Sequence, residues 1–401
     1  MDGSGTPLRV AVVGAGIGGL TLAIALRDAG IGVEVYEQAT ELGEVGAAVG
    51  LAANGVRLLT GLGMGARLAA HGAEPTEVQF RRWDSGRLIR SFPMAENYRT
   101  LFGAPFLGVH RRALQKVLSD RLGDGVVRLD HRVVEVADGP AEAVLTFADG
   151  RRAVADVVVG ADGIHSALRR TVAPDAPRPR FTGQVGFRGL IPVDRLPSLP
   201  DPGALQFWAG PDAHLLHYAI EPDAGKVNFL AVAPRATWTA PTWREPCAAA
   251  DGVARFAGWH PAVTEMIGAV EVEAAWWGLH DIEAFGTWSA GRIVLLGDAA
   301  HAMLPHQGQG ANQAIEDAVV LAHELVAAPD DPRAAIRAYV RRRRARTRNV
   351  QRYSRLAGTL VHVPDDRADE RDALLATLAE DVGWMHGFDA RRALTRQPVD
   401  A

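Results

Sequence analysis

The segment Gly14-Ala15-Gly16-Ile17-Gly18-Gly19 has the spacing G-x-G-x-x-G. In such a loop the first glycine makes a tight turn and the second lets backbone N–H groups approach a pyrophosphate. The third lets the following helix pack closely on the preceding strand. A helix that begins there aims its positive end at phosphate. Glu37 follows about 20 residues on, where an acidic side chain holds a ribose 2′-OH and repels a 2′-phosphate. Gly14, Gly16, Ile17, Gly18, Gly19 and Glu37 are therefore expected to bind an unphosphorylated dinucleotide. The loop alone does not distinguish NAD from FAD.

Other residues suit acid–base chemistry or anion recognition. Histidine is the natural base at neutral pH, and His306 sits in the string Pro305-His306-Gln307-Gly308. In His214-Leu-Leu-His217-Tyr218, strand alternation puts His214 and Tyr218 on one face and His217 on the other. Arg188, in Gly-Phe-Arg-Gly-Leu, can pair with a substrate carboxylate or serve the fold. His301 and His306 are separated by Pro305, and no histidine or cysteine pairing makes a complete ligand set, so no metal is expected. The single cysteine, Cys247, excludes an intrachain disulfide framework and makes the cytoplasm the default compartment. A formal net charge of −4 gives no electrostatic case for nucleic acid or an anionic membrane.

The elements that must position these residues follow from apolar periodicity. Leu8 to Val13 reads as a buried parallel strand, Leu20 to Ala29 as a helix and Val33 to Glu37 as a second strand, the start of a doubly wound sheet. Gly46 to Leu62 reads as loop and then helix, and Leu114 to Leu122 as a helix opened near His110. Gln184–Pro192, Ala204–Trp208, Leu215–Ile220 and Val227–Val232 read as strands separated by Pro/Gly/Asp turns, the mark of an antiparallel sheet. The last 75 or so residues read as helical, with the arginine-rich stretch Arg341 to Arg348 as a solvated helix face. The expected fold is α/β, α+β overall. It has a discontinuous Rossmann-type cofactor domain (1–72, 106–174 and 278–330), an inserted β-sheet substrate domain (73–105 and 175–277), and C-terminal helices (331–401) packed on the cofactor domain.

Two further motifs point to a family. Gly160-Ala161-Asp162-Gly163-Ile164-His165-Ser166-Ala167-Leu168-Arg169, and Gly297-Asp298-Ala299-Ala300-His301 followed by Pro305 and Gly308-Gln309-Gly310, resemble the Asp-Gly and Gly-Asp motifs of the single-component FAD-dependent aromatic hydroxylases. The Pro-His-Gln-Gly string resembles salicylate hydroxylases in particular. The resemblance reaches to about residue 355. It implies FAD as the bound cofactor and NADH or NADPH as a transient reductant, since no second dinucleotide loop occurs. It also implies a flavin hydroperoxide that attacks an electron-rich ring.

Carried over by position, Asp298 looks like the ligand of the ribityl chain and Arg111 like a contact near the ribityl–pyrophosphate region. Asp162 looks linked to the pyrophosphate and to use of the reductant. Gly46, Ala47, Ala48, Pro305, Gly308, Gly310, Ala311 and Asn312 are expected around the flavin. Glu316 and Asp317 read as first-turn acids favoured by the helix dipole. One departure is Ala53, where relatives often have proline before Asn-Gly. His306, with His214 and Tyr218, is the expected catalytic set; Arg188, His217 and His306 are expected at the substrate.

The reading that follows is a monooxygenase for a small phenolic or heteroaromatic acid, acting as monomer or homodimer with no nucleic-acid or membrane partner. Two alternatives remain open: a tailoring enzyme for a larger, polyketide-like substrate, and a non-catalytic flavin-binding protein that docks through its arginine-rich helix.

Overall fold

The computed structural model describes residues 8–43, 48–240, 242–271, 274–378 and 381–395. Gly46 and Ala47, expected at the cofactor, lie outside the described residues. The valine-rich strand Arg9–Val13 is buried on both faces and sits inside a six-stranded sheet. It pairs in parallel with Gly32–Tyr36 on one side and Val157–Gly160 on the other. Val157–Gly160 in turn pairs in parallel with Ile293–Leu295. Continuous apolar runs of this kind suit a parallel sheet covered by helices on both faces. The helix Ile17–Asp28 leaves the first strand at once and buries Leu20, Leu22 and Ile24 completely.

The segment from Ala48 onward differs from the expected loop. Ala48–Leu51 is a strand, paired antiparallel with Leu107–His110, and the helix Ala53–Gly61 follows. A four-residue strand whose partner lies nearly 60 residues away leaves no local periodicity to read. Ala53 opens that helix, and its N–H donates to the Tyr98 hydroxyl at 3.1 Å. Proline has no N–H to give there, so this departure from the family pattern carries a hydrogen bond.

The expected strands between Gln184 and Val232 fall in an eight-stranded sheet, centred on the long strand Arg180–Pro192 and its antiparallel neighbours Lys226–Pro234 and Ala275–Asp281. The hairpin Glu77–Arg82 and Leu88–Pro93 joins it through a parallel pairing with Leu205–Gly210. One face buries Phe187, Trp208, Leu215 and Phe229 in a cluster that includes Val263 and Met266 of the helix Pro261–Gly268. The other face turns towards a large cavity.

The helices Gly310–Ala327 and Pro332–Val361 pack together. Their contact corrects two expectations. Glu316 and Asp317 are not first-turn acids: they lie nearly two turns into the first helix and are fully buried. The arginine-rich stretch is not uniformly solvated: Arg343 is 1% exposed. Its guanidinium meets Asp317 Oδ1 at 2.6 Å and Glu316 Oε2 at 2.5 Å, and Arg346 adds contacts to Glu316 at 2.7 and 2.8 Å. Arg341, Arg344 and Arg348 remain exposed. Asp317 also accepts the Gly297 N–H and His301 Nε2, so the buried ion pairs fasten the turn that presents Asp298.

Among the described residues no helix is long and apolar enough to cross a membrane.

Candidate active site

A cavity of about 1080 Å³ is lined both by the glycine loop and by the open face of the eight-stranded sheet. Single small-molecule sites span roughly 300–1,000 Å³, so this space suits a large cofactor together with a small substrate.

Gly16, Ile17, Gly18 and Gly19 line one end. Gly14 has φ +108°, and a Cβ there would stand 2.4 Å from the Ala161 carbonyl oxygen; a Cβ on Gly19 would stand 2.1 Å from the Gly14 carbonyl oxygen. Only glycine allows this closeness. The first turn of the following helix has neither a side-chain cap nor an acidic residue, which leaves N–H groups available for an anion. Glu37 braces the loop: its carboxylate accepts the Ala15 and Ala39 N–H groups, each at 2.9 Å. These features fit the diphosphate of a dinucleotide.

Asp162 stands behind the cavity wall. One carboxylate oxygen accepts the N–H groups of Ala167 at 2.8 Å and Leu168 at 3.2 Å, and burial raises its pKa. Ala161, Gly163, Ile164 and His165 are its neighbours that face the cavity. Arg111 and Asp298 both line the cavity. Burial lowers the Arg111 pKa, and the nearby Asp298 and Tyr218 oppose that shift.

Ala48, Pro305, Gly308, Gly310 and Ala311 complete the flavin-sized region. Gly308 takes the left-handed conformation, φ +60°, and the Gly310–Ala327 helix starts two residues later. Asn312 is fully buried and does not line the cavity. Its Oδ1 accepts the Ala52 N–H, and its Nδ2 donates to the carbonyls of Gly50 and Gly308, all at 2.9–3.0 Å. It ties the 50–52 segment to the Gly308 turn.

On the sheet side, Arg188 and Tyr218 line the cavity; Tyr218 is buried and Arg188 half-buried. Burial lowers the Arg188 pKa to about 10, with Arg111 adding to the effect. Its guanidinium lies 5.3 Å from the Trp277 ring centre, and its Nε has no hydrogen-bond partner. No carboxylate pairs with it among the described residues. The Tyr218 hydroxyl is held protonated by burial, against the pull of Arg188 and Arg111.

His306 lines the cavity, is 5% exposed, and has its pKa lowered by burial to about 3. His214 is on the same strand face as Tyr218, as alternation requires. It sits behind His306, with ring centres 5.3 Å apart. His217 faces the opposite way and does not line the cavity; burial depresses its pKa to about 3, and both ring nitrogens lack partners. That placement gives no support to the substrate contact expected for His217.

Several residues of this region carry no sequence signal. Gln184 and His362 form hydrogen bonds with the His306–His214 group. Gly358 leaves room for the His306 ring, since a Cβ there would stand 2.6 Å from its Cδ2 and Nε2 atoms. Phe80, Phe92, Phe207 and Tyr98 extend the cavity as an apolar arm.

Residues 7–354 match the family described as FAD binding domain. A 3-amino-4-hydroxybenzoate 2-monooxygenase of Streptomyces platensis is 43% identical, over 95% of this chain and 96% of that protein. Salicylate hydroxylase of Pseudomonas putida is 33% identical, over 95% of this chain and 93% of that protein. Among solved structures, a salicylate hydroxylase substrate complex superposes with a TM-score of 0.83 at 31% identity, covering 99% of this chain and 100% of that one. A Klebsiella pneumoniae protein complexed with FAD and uric acid superposes at 0.81 with 31% identity, covering 96% and 95%. With its glycine loop, its cavity and these relatives, the chain belongs to the FAD-binding monooxygenase family and is a flavin-dependent aromatic hydroxylase.

Proposed function

We propose that this hydroxylase acts on a benzoate-type acid that carries a ring hydroxyl, with 3-amino-4-hydroxybenzoate the first compound to test. FAD would lie along the six-stranded sheet from Gly16 to Gly310, and the substrate ring against the eight-stranded sheet. The overall balance is ArH + O2 + NAD(P)H + H+ → ArOH + H2O + NAD(P)+. When bound, FAD supplies the acceptor for nicotinamide electrons and the means of activating oxygen.

Arg188 carries the substrate reading. A half-buried guanidinium whose buried Nε has no partner and which has no carboxylate to pair with among the described residues is costly, and an acid ligand in the cavity would complete it. Gln184, the hydrogen-bond partner of His306, lies four residues along the same strand, or roughly 13 Å at 3.3 Å per residue. Arg188 and His306 therefore reach towards one space from separated points, as a ring held by its carboxylate at one end and its hydroxyl at the other requires.

His306 would accept the hydrogen bond of that hydroxyl. With a pKa of about 3, it is neutral at working pH and too weak to strip a phenol beforehand. The hydroxyl becomes strongly acidic once the ring has given electron density to the incoming oxygen, and at that stage a weak base suffices. Asp298 and Arg111 would hold the cofactor's ribityl–diphosphate region, Glu37 the adenosine ribose, and Asp162 the turn beside the diphosphate. The Gly310 helix N-terminus would face the flavin edge that becomes negative on reduction.

The apolar arm at Phe80, Phe92 and Phe207 favours a second reading, in which the substrate bears an apolar extension. Holoprotein assayed against a panel of hydroxy- and aminobenzoates, with and without alkyl extensions, decides between them by product formed per NADH consumed. Stoichiometric product from the small acids supports the first reading; product only from extended compounds supports the second.

A further inference from the structure

His306 does not stand alone. Its Nε2 lies 3.2 Å from Gln184 Oε1, Gln184 Nε2 lies 3.1 Å from His362 Nδ1, and His362 Nε2 lies 2.7 Å from His214 Nδ1. The three rings pack together, with centre separations of 5.3, 4.9 and 6.1 Å. Burial lowers the pKa of all three, that of His362 to about 4. The titratable groups that face this cluster are therefore the histidines themselves, from the eight-stranded sheet, the Gly308 turn and the end of the Pro332–Val361 helix. No carboxylate among the described residues hydrogen-bonds any of the three rings.

An amide between two imidazoles fixes their tautomers. An amide oxygen only accepts and an amide nitrogen only donates. Gln184 Oε1 therefore requires a proton on His306 Nε2, and Gln184 Nε2 requires a lone pair on His362 Nδ1. His362 then carries its proton on Nε2 and donates it to His214 Nδ1. Each ring's role follows from the one before it. The lone pair of His306 falls on Nδ1, which is buried without a partner on a residue that lines the cavity. Gly358, beside the Nε2 edge, leaves the space that this arrangement needs.

We infer that Gln184 and His362 are positioning residues that lock His306 in its Nε2–H tautomer, so that Nδ1 keeps the ring's lone pair and is the acceptor a substrate hydroxyl would use. The last step, from Nδ1 to the hydroxyl, rests on the substrate reading above; the tautomer lock does not. Neither residue touches the substrate; each acts through the imidazole. The end of the Pro332–Val361 helix, beyond the matched family region, is thereby part of the acid–base apparatus.

The test has one arm without substrate and one with it. In 15N-histidine-labelled holoprotein, with the His306 signal assigned by its loss in His306→Gln, the ring nitrogens are expected to show the Nε2–H tautomer. Gln184→Leu and His362→Phe are expected to give mixed tautomers, while Gln184→Glu, whose carboxylate still accepts from Nε2, keeps the lock. An Nδ1–H tautomer in the parent protein overturns the inference whatever the substrate.

In the second arm, oxidised holoprotein is titrated with a hydroxybenzoate and the matching benzoate. Gln184→Leu should reduce the preference for the hydroxylated ligand by roughly five- to ten-fold, the worth of one hydrogen bond. Gln184→Glu should restore it. A parent protein with no such preference refutes the substrate reading. A parent preference that Gln184→Leu leaves intact, in a folded and flavin-loaded variant, refutes the lock.

Discussion

Replacing Arg188 with methionine should weaken binding and raise stability together. Arg188→Met keeps a long flexible side chain and removes a half-buried charge that has no carboxylate partner among the described residues. Two effects oppose each other in the ligand-free protein. The stacking on Trp277 at 5.3 Å is lost, at about 0.5–2 kcal/mol for a cation–π contact. The desolvation cost of the half-buried cation, about 2–4 kcal/mol once discounted for its exposure, is relieved. The second is larger, so stability should rise by about 1–3 kcal/mol. With substrate the sign reverses: a hydrogen bond to a charged group contributes about 1.5–3 kcal/mol, so affinity for the acid should fall about 10- to 150-fold. The assay is a flavin-absorbance titration of oxidised holoprotein with an aromatic acid and with its primary amide, alongside thermal unfolding of the ligand-free protein. The parent should prefer the acid and Arg188→Met should not. An acid-to-amide ratio that survives the substitution, in a variant that melts lower than the parent, refutes the reasoning and makes Arg188 a fold residue.

Other outcomes follow from the same geometry. Gly14→Ala and Gly19→Ala, whose Cβ atoms would stand 2.4 and 2.1 Å from backbone oxygens, should fold poorly or lose flavin, read as the ratio of flavin to protein absorbance. Gly358→Ala should displace His306 and lower turnover at least ten-fold, an estimate on the general scale of acid–base catalysis, while leaving the flavin bound. Asp317→Asn would leave the buried Arg343 with less compensation and should cost about 3–5 kcal/mol in unfolding measurements. The carboxyls of Glu316 and Asp317 are net lowered: burial opposes the shift, and Arg343 and Arg346 at Glu316 and His301 and Arg343 at Asp317 outweigh it. Their stabilisation is complete above the ordinary carboxylate range, about pH 4–4.5, and is lost as pH falls through the depressed folded values. Melting temperature should therefore stay level from neutral pH down to that range and drop steeply below it.

What the sequence disclosed depended on distance along the chain. The strand, loop and helix from Arg9 to Asp28 are contiguous, and the glycine spacing between them is a local pattern, so that unit could be read directly, although the steric limit on Gly14 comes from Ala161. The Gly297–Gly310 segment was legible because motif and turn coincide. The strands between Gln184 and Val232 showed their alternation, and parity correctly separated His217 from His214 and Tyr218. The histidine network could not be read, because Gln184, His214, His306 and His362 come from elements up to 178 residues apart and nothing local marks them as neighbours. The arginine stretch misled for the same reason. Arg343 looks like part of a solvated run until Glu316 and Asp317, 27 and 26 residues earlier, are found buried against it.

The most direct test of the account is product analysis under 18O2. Holoprotein given NADH or NADPH, 3-amino-4-hydroxybenzoate and labelled oxygen should return an aromatic acid carrying one new hydroxyl, its oxygen derived from O2, in step with the nicotinamide oxidised. Nicotinamide oxidation that yields only hydrogen peroxide with every hydroxylated aromatic acid in the panel, extended ones included, would contradict it.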